Sequence, residues 1–190
     1  MVPIPPIRPT PAPSPAGAAL SLLAAYHECI GHLLVHLEDL LAEGLRDPAA
    51  REAVSRDVLA GFDCALHVHM DDEEDDVFPA ILAAAESPVR RAQAFELVSS
   101  LLVDHREMAE LWTRLRVSLG ALGGGVALPF PEFTARRFLD LCRRHIDREE
   151  RELGDLARQI PRERLEQVAV SIARRHQVAA DCCPRKGRGS

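Results

Sequence analysis

The chain has 190 residues, 47% of them hydrophobic but only 4% aromatic, and a formal net charge of −6. That length suits one domain with a complete core. Its negative balance, with arginines interspersed among Asp and Glu, excludes a sequence-independent nucleic-acid binder, which presents a basic face. No apolar run approaches the ~20 residues that cross a bilayer, so neither nucleic acid nor membrane is an expected partner.

Residues 1–17 are rich in proline and lack the apolar stretch of a signal peptide, which predicts a disordered or polyproline-like leader. From residue 18 onward apolar residues recur with a helical period, and no long run alternates apolar with polar. The fold class expected is all-α: an antiparallel up-down-up-down four-helix bundle with an additional C-terminal helix. Helix 1 is predicted over 18–46. Asp47-Pro48 and Ser87-Pro88 each read as a capping residue followed by proline at the first helical position, starting helices over 48–86 and 88–121. Pro79 should bend or interrupt the second helix. The run from Gly123-Gly124-Gly125 to Pro131 separates the third helix from a fourth over 131–159, which Ile160-Pro161 closes. A shorter helix over 162–177, with Leu165, Val168 and Ile172 on one side, is expected to pack across one end. The domain would thus span 18–178, followed by a disordered tail over 179–190 that holds Cys182 and Cys183. Five cysteines, an odd number without a disulfide-framework spacing, point to a reducing cytoplasm. Cys29, Cys64 and Cys142 read as small core or boundary residues.

Four histidines interrupt the apolar stripes, one per long helix. The stripes read Leu23-His27-Ile30, Leu66-His69-Glu73-Val77, Leu101-His105-Met108 and Leu141-His145-Glu149-Leu153. His69 and Glu73, like His145 and Glu149, are four apart and share a helix face. The histidines also sit at matched distances from the turns. His27 lies 20 residues before Asp47 and His69 lies 22 after it; Ser87 is 18 from both His69 and His105. At about 1.5 Å rise per residue, antiparallel helices bring all four to one level. A buried glutamate is costly unless neutralised, and two on core faces call for a cation. The expected metal ligands are therefore His27, His69, Glu73, His105, His145 and Glu149. Imidazole with carboxylate suits iron, manganese or zinc, and no thiolate is in phase. His27 and His69 are assigned to one metal and His105 and His145 to the other, with Glu73 and Glu149 bridging and an oxo or hydroxo bridge between. His32, His36 and His67 fall off this face and read as surface or inter-helix residues, and His176 as solvated. The run Asp71 to Asp76 reads as a solvated acidic face apart from Glu73, with Asp76 a possible outer support. Gly31, four after His27, leaves space either for a small ligand or for close helix packing.

These residues resemble the hemerythrin-like, or HHE cation-binding, family over roughly 20–176. The segment His69-Met-Asp-Asp-Glu73-Glu74-Asp-Asp-Val-Phe78-Pro79 is similar to the family's His-x-x-x-Glu-Glu-x-x-Leu-Phe-Pro on its second helix. Tyr26-His27, Asp104-His105-Arg106 with Trp112, and His145-Ile-Asp-Arg-Glu149-Glu150 resemble the other ligand segments. Hemerythrins proper carry a further histidine four residues along the third helix; Ala109 stands there, so six protein ligands are expected rather than seven. The extra histidine of some iron-centre repair relatives is also missing from Leu45 to Ala50. The resemblance implies a non-haem di-iron protein that binds or senses O₂, NO or peroxide. The alternative is a di-iron enzyme of oxidative or nitrosative stress defence, consuming peroxide or NO or repairing iron centres. A third reading is a helical interaction module with core histidines. The sequence leaves binding and catalysis open and indicates no protein partner.

Overall fold

The structure, a computed structural model, describes residues 15–42, 47–126 and 128–179, with side chains over 23–42, 47–126 and 128–176. Residues 1–14 of the expected leader, Leu45 and Arg46, and residues 180–190 with Cys182 and Cys183 lie outside the described residues. Every regular element described is helical: α1 (Pro15–Leu41), α2 (Pro48–Asp72), α3 (Phe78–Ala84), α4 (Pro88–Gly123), α5 (Glu132–Arg148), α6 (Gly154–Ala157) and α7 (Arg162–Ala179). Helix α1 starts three residues before the expected position.

Local chemistry sets the boundaries. The Asp47 carboxylate accepts from the Ala50 N–H at 3.2 Å, and the Ser87 hydroxyl from the Arg90 N–H at 3.2 Å. Each cap is followed by proline, whose missing N–H would have had no helical partner. At the end of α4, Val126 donates back to the Ala121 carbonyl at 2.9 Å, across Gly125 at φ 74°. That left-handed backbone is open to glycine at no steric cost.

Two helical rods contain a five-residue π-helical turn, Glu73–Val77 between α2 and α3 and Glu149–Leu153 between α5 and α6. In the first, Phe78 N–H reaches the Glu73 carbonyl five residues back. Pro79 therefore does not break the rod. It occupies the first turn of α3, where its absent N–H costs least. The second π turn contains no proline. What the two share is a buried glutamate at their first position, and such turns recur at functional sites.

Helix α1 packs on α2 and α5, and α4 packs on α2 and α5. Helix α7 lies against α1, α2, α3 and the first π turn. Its buried face is Leu165, Val168 and Ile172, as predicted, but its last turns reach the level of Asp72 instead of only crossing an end.

The apolar interior is split in two. One cluster gathers Ile30 to Leu40, Phe62, Leu66, Met70, Met108, Trp112, Phe138 and Cys142. Within it, Phe62 meets Trp112 at 5.0 Å and Phe138 at 5.2 Å between ring centroids. The other gathers Leu23, Val77, Phe78, Ile81, Leu101, Leu153, Ile160 and the apolar side of α7. On every long helix the histidine or glutamate singled out above stands between a residue of one cluster and a residue of the other. A polar layer thus crosses the protein, sandwiched between two apolar ones. Gly61 draws α1 and α2 together, since a Cβ there would stand 2.5 Å from the Leu33 side chain. Across the outside, Arg143 holds Glu38 through two contacts of 2.6 Å, tying α5 to α1.

Candidate metal centre

All six predicted side chains converge in the polar layer. Their ligating atoms form two groups, His27, His69, Glu73 and Glu149, and Glu73, His105, His145 and Glu149, with the atoms of each group within 4.8 Å of one another. Both carboxylates belong to both groups. The ring centroids of His27 and His69 are 4.9 Å apart, and those of His105 and His145 4.7 Å. His32, His36 and His67 are exposed, as expected. Cys64 and Cys142 are buried and Cys29 partly so.

The Nε2 atoms point inward. That of His27 lies 3.2 Å from Glu149, that of His69 3.6 Å from Glu73 and 3.7 Å from Glu149, and that of His105 3.2 Å from Glu73. That of His145 lies 2.7 Å from Glu149. The outer nitrogens of three rings face carboxylates: His105 Nδ1 meets Glu74 at 2.7 Å, His145 Nδ1 faces Asp104 at 3.5 Å, and His27 Nδ1 faces Glu150 at 3.4 Å. Carboxylates there keep the proton on Nδ1 and leave the Nε2 lone pairs directed inward. The Nε2 atoms of His105 and His145 are 3.1 Å apart, so that either one donates to the other or both turn their lone pairs to one cation. Phe78 stacks on His105 at 5.8 Å and holds its plane.

The electrostatics lead to the same conclusion. Burial holds the His69 pKa down to about 3, so its ring is neutral. Burial, helped by His145, lowers His105 as well. Glu73 is driven well above the carboxylate range by burial and by the adjacent Glu149. Glu149 meets the same burial, but contacts from His145 and His27 outweigh it and hold it well below that range. Burial and their mutual proximity thus drive the two carboxylates apart in proton affinity, Glu73 upward and Glu149 downward. Both nitrogens of His27 and His69 and all four oxygens of Glu73 and Glu149 lack hydrogen-bond partners, although buried polar groups are normally paired. Four imidazoles and two carboxylates with inward orphan atoms fit a pair of cations that prefer nitrogen and oxygen.

Beside the centre is a small cavity of about 10 Å³, lined by Ile30, Leu66, His69, Met108, Cys142, His145 and Ile146. It approaches the volume that holds one water-sized molecule, and five of its walls are apolar or sulfur. Gly31 does not serve close packing, because a Cβ there would meet nothing within 4 Å.

Two expectations need correction. His176 is not solvated: its side chain is 14% exposed, its ring lies 4.6 Å from that of Tyr26, and its Nε2 is 2.5 Å from Asp72. Asp72 is not on a solvated face but 0% exposed, held also by Arg175. Burial raises the Asp72 pKa despite Arg175 and His176, which lower it. Helical phase within α2 could not reveal Asp72, because its partners lie 103 and 104 residues away. Asp76, by contrast, supports the acidic cluster through Arg175 at 3.0 Å. Glu74 and Glu150 were also missed; their signal was the second glutamate of each Glu-Glu pair.

The fold and the site define a helical domain built to enclose a cation centre. The family model of the hemerythrin HHE cation binding domain matches residues 18–157. The chain belongs to that family. No curated protein and no solved structure matches it.

Proposed function

We propose that this chain is a non-haem di-iron protein, an up-down-up-down four-helix bundle with an added C-terminal helix, that binds or senses O₂, NO or peroxide. The observation that carries this reading is the pair of four-residue groups sharing Glu73 and Glu149, next to a small cavity of about 10 Å³. His27 and His69 would hold one iron and His105 and His145 the other, with both carboxylates between them; manganese or zinc suits the same atoms. A bound iron pair would supply electrons and open positions for a small ligand. Met108, Leu66 and Ile30 keep bulk water from the cavity, and its size excludes larger molecules. Ala109 offers no seventh ligand, which favours rapid oxidation over stable O₂ storage.

A second reading, an enzyme of oxidative or nitrosative stress defence that consumes peroxide or NO or repairs iron centres, draws support from the outer carboxylates. Glu74 and Glu150 have side chains 43% and 59% exposed yet face His105 and His27. Each can pass a proton between solvent and an imidazole N–H, as reduction of peroxide requires. Among the described residues no helix is long and apolar enough to cross a membrane, which accords with the cytoplasmic setting proposed from the cysteines. The test is anaerobic reconstitution with ferrous iron, elemental analysis, and stopped-flow mixing with O₂, NO or peroxide. Two irons and a fast, saturable spectral change are expected. A chain that takes up no iron would defeat both readings.

A further inference from the structure

Helix α7 lies beyond the family match, which ends at 157, yet it packs against the first π turn, which begins at Glu73. Its Arg175 meets three carboxylates at the junction of α2 and the first π turn: Asp72, Asp76 at 3.0 Å and Asp75 at 3.3 Å. The neighbouring His176 meets the other oxygen of Asp72 and packs on Tyr26. Asp72 and Tyr26 immediately precede Glu73 and His27, two members of the same four-residue group.

We propose that α7 is a clasp for the cation pocket of His27 and His69, in which Arg175 and His176 are positioning residues acting through Asp72 on Glu73 and through Tyr26 on His27. The physical reason is geometric. A π turn is one residue wider than an α turn and has poor intrinsic stability. Its four acidic residues, Glu73 to Asp76, repel one another at close quarters. One guanidinium spanning Asp72, Asp75 and Asp76 cancels much of that repulsion and fixes where Glu73 leaves the backbone. A buried Asp72 needs both partners, since an unpaired buried carboxylate is costly. His105 and His145 are held by Glu74, Phe78 and Asp104, and share with the first pocket only the carboxylates, whereas His27 directly follows Tyr26, which α7 touches. Loosening the clasp should therefore weaken the first pocket more than the second. By linkage, filling the first pocket should tighten α7 in return.

This inference rests on the di-iron reading, and its test separates the two. The full chain is freed of metal and titrated anaerobically with ferrous iron, and retained iron is measured after gel filtration. The parent should retain two equivalents. Arg175→Gln and His176→Phe should each hold one as before and bind the other about 10- to 100-fold more weakly, the range for outer-sphere partners. His176→Gln keeps a donor toward Asp72 while losing the ring on Tyr26, and should retain more iron than His176→Phe. If Arg175→Gln fails to fold, the milder pair at His176 still decides. Hydrogen exchange should show α7 amides slowed on iron loading of the parent and not of His176→Phe. Two equivalents held with parent affinity by both Arg175→Gln and His176→Phe would overturn the clasp, as would equal loss from His176→Phe and His176→Gln. A parent that retains no iron instead defeats the di-iron reading, and the clasp with it.

Discussion

Cation uptake should expel a proton from Glu73, and the metal-free protein should weaken as pH rises. Glu73 is fully buried beside Glu149, so its folded pKa lies well above its unfolded value. A group raised in this way binds more protons folded than unfolded. Its contribution to stability is complete below the ordinary glutamate range and is lost as pH climbs toward the folded value. The slope can reach about 1.4 kcal/mol per pH unit. His69 acts in the opposite sense, because its folded pKa of about 3 lies below the unfolded value of 6.5. It costs stability as pH falls below 6.5, and His105, also lowered, does the same. Well above pH 6.5 both are neutral in either state and contribute no slope. Denaturant melts of the metal-free protein should therefore show the parent losing stability relative to Glu73→Gln, neutral at every pH, as pH rises above the ordinary glutamate range. Cation loading of the parent should release protons, read by calorimetry in buffers of different ionisation enthalpy. Uptake of two cations with no proton released, or matching pH profiles for parent and Glu73→Gln, would refute the reasoning.

Removing an outer carboxylate should weaken iron binding about 10- to 100-fold, through His105 for Glu74→Gln and through His27 for Glu150→Gln; iron titration reads both, and unchanged affinities would show that these contacts hold no ligand in place. Glu73→Ala should lower metal content more than Glu74→Ala, since only Glu73 belongs to both groups. Phe62→Ala, in the cluster with Trp112 and Phe138, should cost about 3–5 kcal/mol in denaturant melts of the metal-free chain while iron stoichiometry at low temperature stays at that of the parent. Ala109→His, which places an imidazole one turn along α4 from His105, should slow oxidation of the ferrous protein by O₂ in stopped flow; an unchanged rate would remove the missing ligand as its cause.

Much of the centre could be read from the chain because it obeys local periodicity. A histidine at a core phase on each long helix, a glutamate four residues after two of them, and capped turns at matched distances need only the helical rise and the 3.6-residue repeat to meet at one level. Asp47-Pro48 and Ser87-Pro88 acted where they stand, because a cap involves a hydrogen bond three residues away. The π turns were not legible: their widening follows from how a buried Glu73 or Glu149 and the next apolar residues must both face inward, which depends on the helices across the layer. Nor was the role of Glu74 and Glu150, whose partners lie on α4 and α1. Asp72, Arg175 and His176 show the limit most clearly. Each looks like a surface residue on its own helix, and only the docking of α7 removes water from Asp72 and makes its two distant partners necessary. The sequence by itself determined the helices, their caps and the six inward side chains, since these depend on neighbours within a turn or two. The tertiary structure decided which carboxylates support which imidazoles and what covers the centre, since burial and charge pairing belong to the assembled helices.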